Sequence, residues 1–180
     1  MNIVYTLGTL WEKVGESGAP DVAGVLSLMD KVELMFLGQY HHNLDDKGRL
    51  TIPARFRDLL AAEGAYVLQG FDHNLMVLTA STFEAISRRV NRMSITDPTA
   101  RLLKRLIFST ANFVEVDRVG RILLPQFLRQ SATLDSEVVI VGAGDFFEIW
   151  SPEIWDDQIV QLQDVETNAQ RFISLELASD

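Results

Sequence analysis

The chain of 180 residues has no cysteine, which removes disulfides and every zinc site built on thiolates. It has no run of 18 apolar residues, so no segment reads as a transmembrane helix. The opening Met1-Asn-Ile-Val-Tyr-Thr-Leu7 lacks the basic stretch of a signal peptide. Phosphate-cradling chemistry is missing too: Gly15-Glu-Ser-Gly18 is glycine-rich but carries no Lys-Ser/Thr. Only three histidines occur, and His41 and His42 are adjacent, so on a strand they point to opposite faces. With His73 they form no spaced ligand set, and neither a metal nor another cofactor is expected. Asp45-Asp46 could be a carboxylate pair for acid/base work, but no nucleophile or base accompanies it. The chain does not read as an enzyme.

Basic charge is scarce at both ends. Residues 130–180 hold 1 basic and 11 acidic groups, and residues 1–34 hold 2 basic and 5 acidic. Residues 35–129 hold 13 basic and 9 acidic, within a net charge of −9. The whole argues against nucleic acid, whereas the distribution allows a nucleic-acid face beside an acidic appendage. An ordinary mixed surface with an acidic tail fits the same numbers. Apolar residues make up 47%, enough for a packed core, and the absence of cysteine fits a reducing cytosol.

An internal repeat organises the chain. Asp45-Asp-Lys-Gly-Arg49-Leu-Thr-Ile-Pro53 matches Asp117-Arg-Val-Gly-Arg121-Ile-Leu-Leu-Pro125 at an offset of 72, read as ungapped well beyond the motif. Further identities are Arg57/Arg129, Val67/Val139 and Gly70/Gly142. Apolar matches include Leu50/Ile122, Phe56/Leu128 and Leu68/Ile140. Each copy predicts a strand (Gln39–Leu44, Asn112–Val116), an Asp-x-x-Gly-Arg turn and a second strand (Arg49–Ile52, Arg121–Leu124). Gly48 and Gly120 supply the positive φ that a tight turn often needs. Pro53 and Pro125 then suit the first position of a short helix, and a hairpin closes each unit (Tyr66–Gln69 with Leu75–Leu78, Val138–Val141 with Phe146–Trp150). Between the copies, Ser81-Thr-Phe-Glu84 reads as a capping box for a helix to about Met93. Asp97-Pro98 opens a second helix to about Phe108. On that helix Leu102, Leu103, Leu106 and Ile107 form one face, with Arg101, Lys104 and Arg105 opposite. Ser151-Pro152 opens a helix after the second copy.

Two Asp-x-x-Gly-Arg turns, each leading through apolar residues to Pro, resemble the MraZ family, the double-repeat member of the AbrB/SpoVT-like swapped-hairpin proteins. The resemblance covers about residues 35–170. It implies a β-rich α+β fold of two tandem swapped-hairpin units forming a pseudo-two-fold double-hairpin barrel. The expected division is a leader or arm over 1–34, repeats at 39–86 and 111–156, linking helices at 87–110 and an acidic helix and tail at 157–180. It also implies a ring-like homo-oligomer, cytoplasmic and nucleoid-associated, with double-stranded DNA as partner. Members of the family bind direct TGGG-type repeats upstream of their own division and cell-wall operon, chiefly as repressors. A ring-forming scaffold or an antitoxin-like interaction module is the alternative.

The chemistry of the motif is compatible. An Arg at a strand start can donate two parallel hydrogen bonds to a guanine edge or grip a phosphate. The Asp four residues earlier can hold that guanidinium. The same pairs, Asp45/Arg49 and Asp117/Arg121, can equally be salt bridges that fasten two turns, and both readings can hold together. The first copy carries Lys47, Arg49, Arg55 and Arg57; the second replaces Lys47 by Val119 and Arg55 by Phe127 and gains Arg118. Arg49 is therefore expected to lead DNA contact, followed by Lys47 and Arg121, with Arg118 offsetting part of the deficit. Arg55 and Arg57 suit phosphate contact or a solvated helix face. Arg88, Arg89, Arg92, Arg101, Lys104 and Arg105 suit a solvated or inter-subunit face.

In the family the chain starts at a Met just before the first strand, here Met35, so residues 1–34 are expected to be translated leader or a disordered arm. The codons allow a specific form of the leader. Trp11-Glu12 forces TGGG at nucleotide 31, Val14-Gly15 allows it at 41 and Ser17-Gly18 at 51. That spacing is about one turn of DNA, so the leader is expected to be the operator itself, which the genomic sequence tests directly.

Overall fold

The computed structural model describes residues 35–175. Residues 1–34, with the leader reading, and residues 176–180 lie outside the described part.

The first half runs β1 (Gln39–Asn43), β2 (Arg49–Thr51), α1 (Ala54–Ala61), β3 (Ala65–Gln69) and β4 (Leu75–Thr79). Helices α2 (Ala80–Asn91) and α3 (Pro98–Thr110) follow. The second half repeats the order: β5 (Asn112–Val114), β6 (Arg121–Leu123), α4 (Gln126–Ser131), β7 (Glu137–Gly142), β8 (Phe146–Trp150), α5 (Pro152–Gln163) and α6 (Val165–Phe172). The fold is mixed α+β. All strand pairing is antiparallel, in a six-stranded sheet of order β1-β7-β8-β4-β3-β5 and a two-stranded sheet β2-β6.

Exchanging the halves maps that order onto itself. The register agrees: Leu50 faces Ile122 and Met76 faces Glu148, each the residue 72 positions on. The first strand of each half pairs with the other half's hairpin, β1 on β7 and β5 on β3. Neither half can form these sheets alone.

The ungapped offset needs correction. In β7 the residue that faces Ile149 and Tyr40 is Ile140, and its counterpart facing Val77 and Asn112 is Val67. The offset there is 73. Val139, the sequence match of Val67, points to the opposite face and packs with Trp150 and Trp155. The extra residue enters after α4. Thr133 takes φ 50 and ends the helix early, and Leu134 fills core space. A turn one residue shorter between β7 and β8 restores the offset of 72 in β8. The Gly70/Gly142 identity is thus a coincidence with two separate causes. A side chain at Gly70 would strike Asn74, and one at Gly142 would strike the Phe36 backbone.

The main core lies between the two sheets. Leu50 and Ile122 close it from the small sheet with Ile52 and Leu124 just after its strands, Phe56, Leu60 and Leu128 from α1 and α4 with Ala132 at the end of α4, and Val67, Val77, Ile140 and Ile149 from the large sheet. On the large sheet's other face, Leu68 and Leu78 meet Ile107 of α3, and Val139 and Trp150 meet Trp155 of α5.

Three local expectations shift by a residue or more. Pro53 and Pro125 cap their helices instead of opening them, and their carbonyls accept the first helical N–H groups, from Phe56 and Leu128. The cap of α2 is Thr79, whose hydroxyl accepts from the Thr82 amide, because β4 stays extended up to that residue. Ser81 instead donates to Glu63 and Glu84 lies near Arg88. On α3 the inward residues are Ala100, Leu103 and Ile107, a rotation that leaves Leu102 exposed. Arg101 and Lys104 donate to carbonyls at the end of α2 (Asn91) and in the loop that follows it (Met93, Ile95 and Thr96), so they tie that loop down.

Candidate nucleic-acid interface

Asp45 organises the first turn through both carboxylate oxygens. Oδ1 accepts from the backbone amides of Lys47 (3.0 Å) and Arg49 (2.9 Å), and Oδ2 accepts from Arg49 Nε (2.7 Å). Arg49 Nη2 lies 2.6 Å from the same oxygen. Asp117 repeats the pattern. Its Oδ1 accepts from Val119 and Arg121 amides at 3.0 Å each, and its Oδ2 from Arg121 Nε and Nη2 at 2.9 and 2.8 Å. The amide contacts explain the spacing: a short carboxylate can close the turn only on the residues two and four positions on. Gly48 and Gly120, at φ 75 and 83, complete the turns, each donating its amide to the carbonyl of the motif's Asp.

The salt-bridge reading of these pairs holds, and it also fixes where each arginine stands. The Arg49 hydrogen bond holds the Asp45 carboxyl down at about 2, and Asp45 in turn raises Arg49. The Arg121 hydrogen bond lowers Asp117. Both acids therefore stay ionised at neutral pH.

The register of β2 and β6 sets the two turns side by side. Leu50 and Ile122 point inward, so Arg49, Thr51, Arg121 and Leu123 share the outward face, with Arg49 opposite Leu123 and Thr51 opposite Arg121. Arg121 Nη1 reaches within 3.6 Å of Asp45 across the pair. The result is a two-stranded ribbon displaying two pre-positioned guanidinium groups. An arginine so held has already lost much of its rotamer freedom, and a β-ribbon is narrow enough for a DNA major groove.

Around this ribbon the halves differ. Lys47, Arg55 and Arg118 are exposed and form no ion pair among the described residues. Val119, Leu123 and Phe127, where the first half has Lys47, Thr51 and Arg55, are also exposed, at 61%, 56% and 47%. The cationic rim thus belongs mainly to the first half. Arg57 is placed differently: its Nε donates to Ile52 O at 2.7 Å. Arg129, which drew no attention in sequence beyond its identity with Arg57, does the same with Leu124 O at 3.2 Å. Among the described residues there is no group of three or more His, Cys, Asp or Glu able to hold a metal, and no helix is long and apolar enough to cross a membrane.

The model of the MraZ protein family, described as antitoxin-like, matches residues 35–106 and again 107–174, one match for each half. Curated relatives named transcriptional regulator MraZ include that of Roseiflexus castenholzii, 46% identical over 77% of this chain and 94% of its own length. That of Herpetosiphon aurantiacus is 47% identical over 67% of this chain and 84% of its own length. That of Moorella thermoacetica is 40% identical over 79% of this chain and all of its own length. Duplicated matches over nearly all described residues, together with these identities, show that the chain belongs to the MraZ family, a non-enzymatic family.

Proposed function

We propose that this chain is a sequence-specific DNA-binding transcriptional regulator, chiefly a repressor, acting on direct TGGG-type repeats upstream of its own division and cell-wall operon. The observation that carries the reading is the β2-β6 ribbon, with Arg49 and Arg121 held on one outward face by Asp45 and Asp117. Guanine-rich repeats suit such a pair, because each arginine can give a bidentate contact to guanine O6 and N7. Lys47, Arg118 and Arg55 would add phosphate contacts at the rim, and Arg57 less so, since its Nε is already used.

In this reading the halves are two interlocked swapped-hairpin units, and the protein is a ring-like homo-oligomer in the cytoplasm, associated with the nucleoid. The charge distribution supports the assembly. Arg88, Arg89, Arg92, Arg101, Lys104 and Arg105 lie on or beside α2 and α3, whereas α5 and α6 carry Glu153, Asp156, Asp157 and Glu166, with Asp164 between them. Opposite ends of opposite charge favour head-to-tail contacts, which close into rings. Several ribbons on one ring would then engage successive repeats, so that modest contacts add through effective concentration.

The test is binding of the full chain to a duplex with three TGGG repeats at two salt concentrations, beside Arg49→Ala. Salt-sensitive binding that the variant loses supports operator recognition, since phosphate contacts release counterions. Equal binding by both proteins, or none to any DNA, favours a scaffold or antitoxin-like module, for which Arg49 only fastens a turn.

A further inference from the structure

Arg57 and Arg129 stand at equivalent places in α1 and α4, with each Nε donating to a carbonyl five residues back, Ile52 O and Leu124 O. Those same two residues reach across the halves: Ile52 N donates to Gly120 O and Leu124 N to Gly48 O, both at 2.9 Å. The arginines cross over in the same way. The space that a side chain on Gly120 would take is filled by the Arg57 guanidinium, and that on Gly48 by the Arg129 guanidinium. Both glycines sit at positive φ.

Each helix of one half therefore braces the turn of the other. Residue chemistry explains why arginine is used. A planar guanidinium can lie against bare glycine backbone while its Nε donates to a carbonyl; lysine keeps the charge but has neither the plane nor the fork. Neither arginine forms an ion pair among the described residues, so their charge is not consumed in fastening an acid.

We propose that Arg57 and Arg129 are positioning residues for the DNA-reading turn of the opposite half, so that Arg57 governs Arg121 and Arg129 governs Arg49. This rests on the DNA-binding reading for its functional consequence, but not for the bracing itself. The two turns are then coupled: a change in one half's helix alters recognition by the other half's arginine.

The experiment uses the full chain as wild type, Arg57→Lys and Arg129→Lys, with Arg49→Ala and Arg121→Ala as references. Each is titrated against the TGGG-repeat duplex and a panel of single base-pair changes, at three salt concentrations. Loosening a support residue of a recognition site is expected to weaken binding roughly tenfold. The salt dependence should keep its slope, because the charge is retained. Arg57→Lys should lose discrimination at the base pairs where Arg121→Ala loses it, and Arg129→Lys at those of Arg49→Ala. Undiminished affinity overturns the proposal, as does an altered slope or a loss of discrimination assigned to the same half's arginine.

A second measurement does not depend on DNA. Amide exchange at Val119 and Gly120 should accelerate in Arg57→Lys while Lys47 and Gly48 keep wild-type rates, and Arg129→Lys should show the converse. Exchange that rises equally in both turns, or in neither, overturns the bracing. If the wild type binds no DNA yet the exchange pattern holds, the DNA reading fails and the crossed bracing stands. Should a lysine variant lose its dispersed amide spectrum, the wild-type chain still decides. Cross-relaxation from Arg57 Nε–H to Gly120 Hα, and from Arg129 Nε–H to Gly48 Hα, is expected, and its absence overturns the placement.

Discussion

The two halves share a turn, a strand and a short helix, yet they divide the work of core and surface differently. In the first half Phe56 stands at the centre of an aromatic group, with ring centroids 5.0 Å from Phe36, 5.4 Å from Tyr40 and 5.2 Å from Phe147. Its counterpart Leu128 is just as buried in the same core but brings no ring to it. Outside, the contrast is polar and cationic against apolar: the first half has Lys47, Thr51 and Arg55 at the repeat positions where the second has Val119, Leu123 and Phe127. Duplication supplied two equal frames, and each frame kept the residues that shape the turn. What diverged is whatever the turn does not need.

The largest effect that sharpens this contrast is in the core. Phe56→Ala should cost about 4 kcal/mol and Leu128→Ala about 3 kcal/mol, both through cavities that α1 and α4 cannot close. Phe56 should exceed Leu128 because three ring contacts go with it. Denaturant unfolding of the two variants measures the difference. A larger loss at Leu128 would mean that the aromatic group is not the anchor of the core.

A smaller effect is expected at the surface. Lys47→Val makes the first turn resemble the second and should lower the slope of log affinity against log salt by about 0.9, with a loss on the order of 1 kcal/mol. Val119→Lys should raise the slope by a similar amount. Titrations at several salt concentrations decide it. Unchanged slopes in both variants would put DNA elsewhere than on the ribbon.

Much of this contrast was legible beforehand, for definable reasons. The turns were readable because one carboxylate must satisfy two amides and a guanidinium, which forces Asp, Gly and Arg into fixed places. The slip to an offset of 73 in β7 was not. Val67/Val139 and Gly70/Gly142 match by chance, and only the neighbours across the sheet reveal that Ile140 takes the place of Val67. Cross-pairing of β1 with β7 was equally hidden, since alternation tells which face is buried but not which strand lies alongside. Of the candidate site, Asp45 holds Arg49 and Asp117 holds Arg121 within their own turns, as the spacing led one to expect, whereas the meeting of the two turns across β2 and β6 left no mark in it. Arg57 read as a solvated or phosphate-facing residue because its partners, a carbonyl and a bare glycine, leave no mark in side-chain patterning. The identity of Arg57 with Arg129 was the available signal.

The smallest expected effect concerns a position where the halves differ by one titratable group. His42 on β1 faces Val138, and its repeat partner Val114 on β5 faces Ala65, next to the same core. Partial burial, and after it the nearby Arg57 charge, lower the His42 pKa from its usual 6.5. The folded protein therefore binds this proton less readily than the unfolded chain does. Below pH 6.5 the unfolded state holds more protons, so stability falls as the pH drops through the window between the usual and the lowered value, and is full above it. The melting temperature of the wild type should thus decline between pH 7.5 and 5.5. His42→Val, which gives the first half the residue of the second, should decline less over the same range. An equal decline in both proteins would assign the pH response to other groups. A steeper decline in the variant would mean that protonated His42 is stabilised in the fold, against the sign that its burial and Arg57 impose.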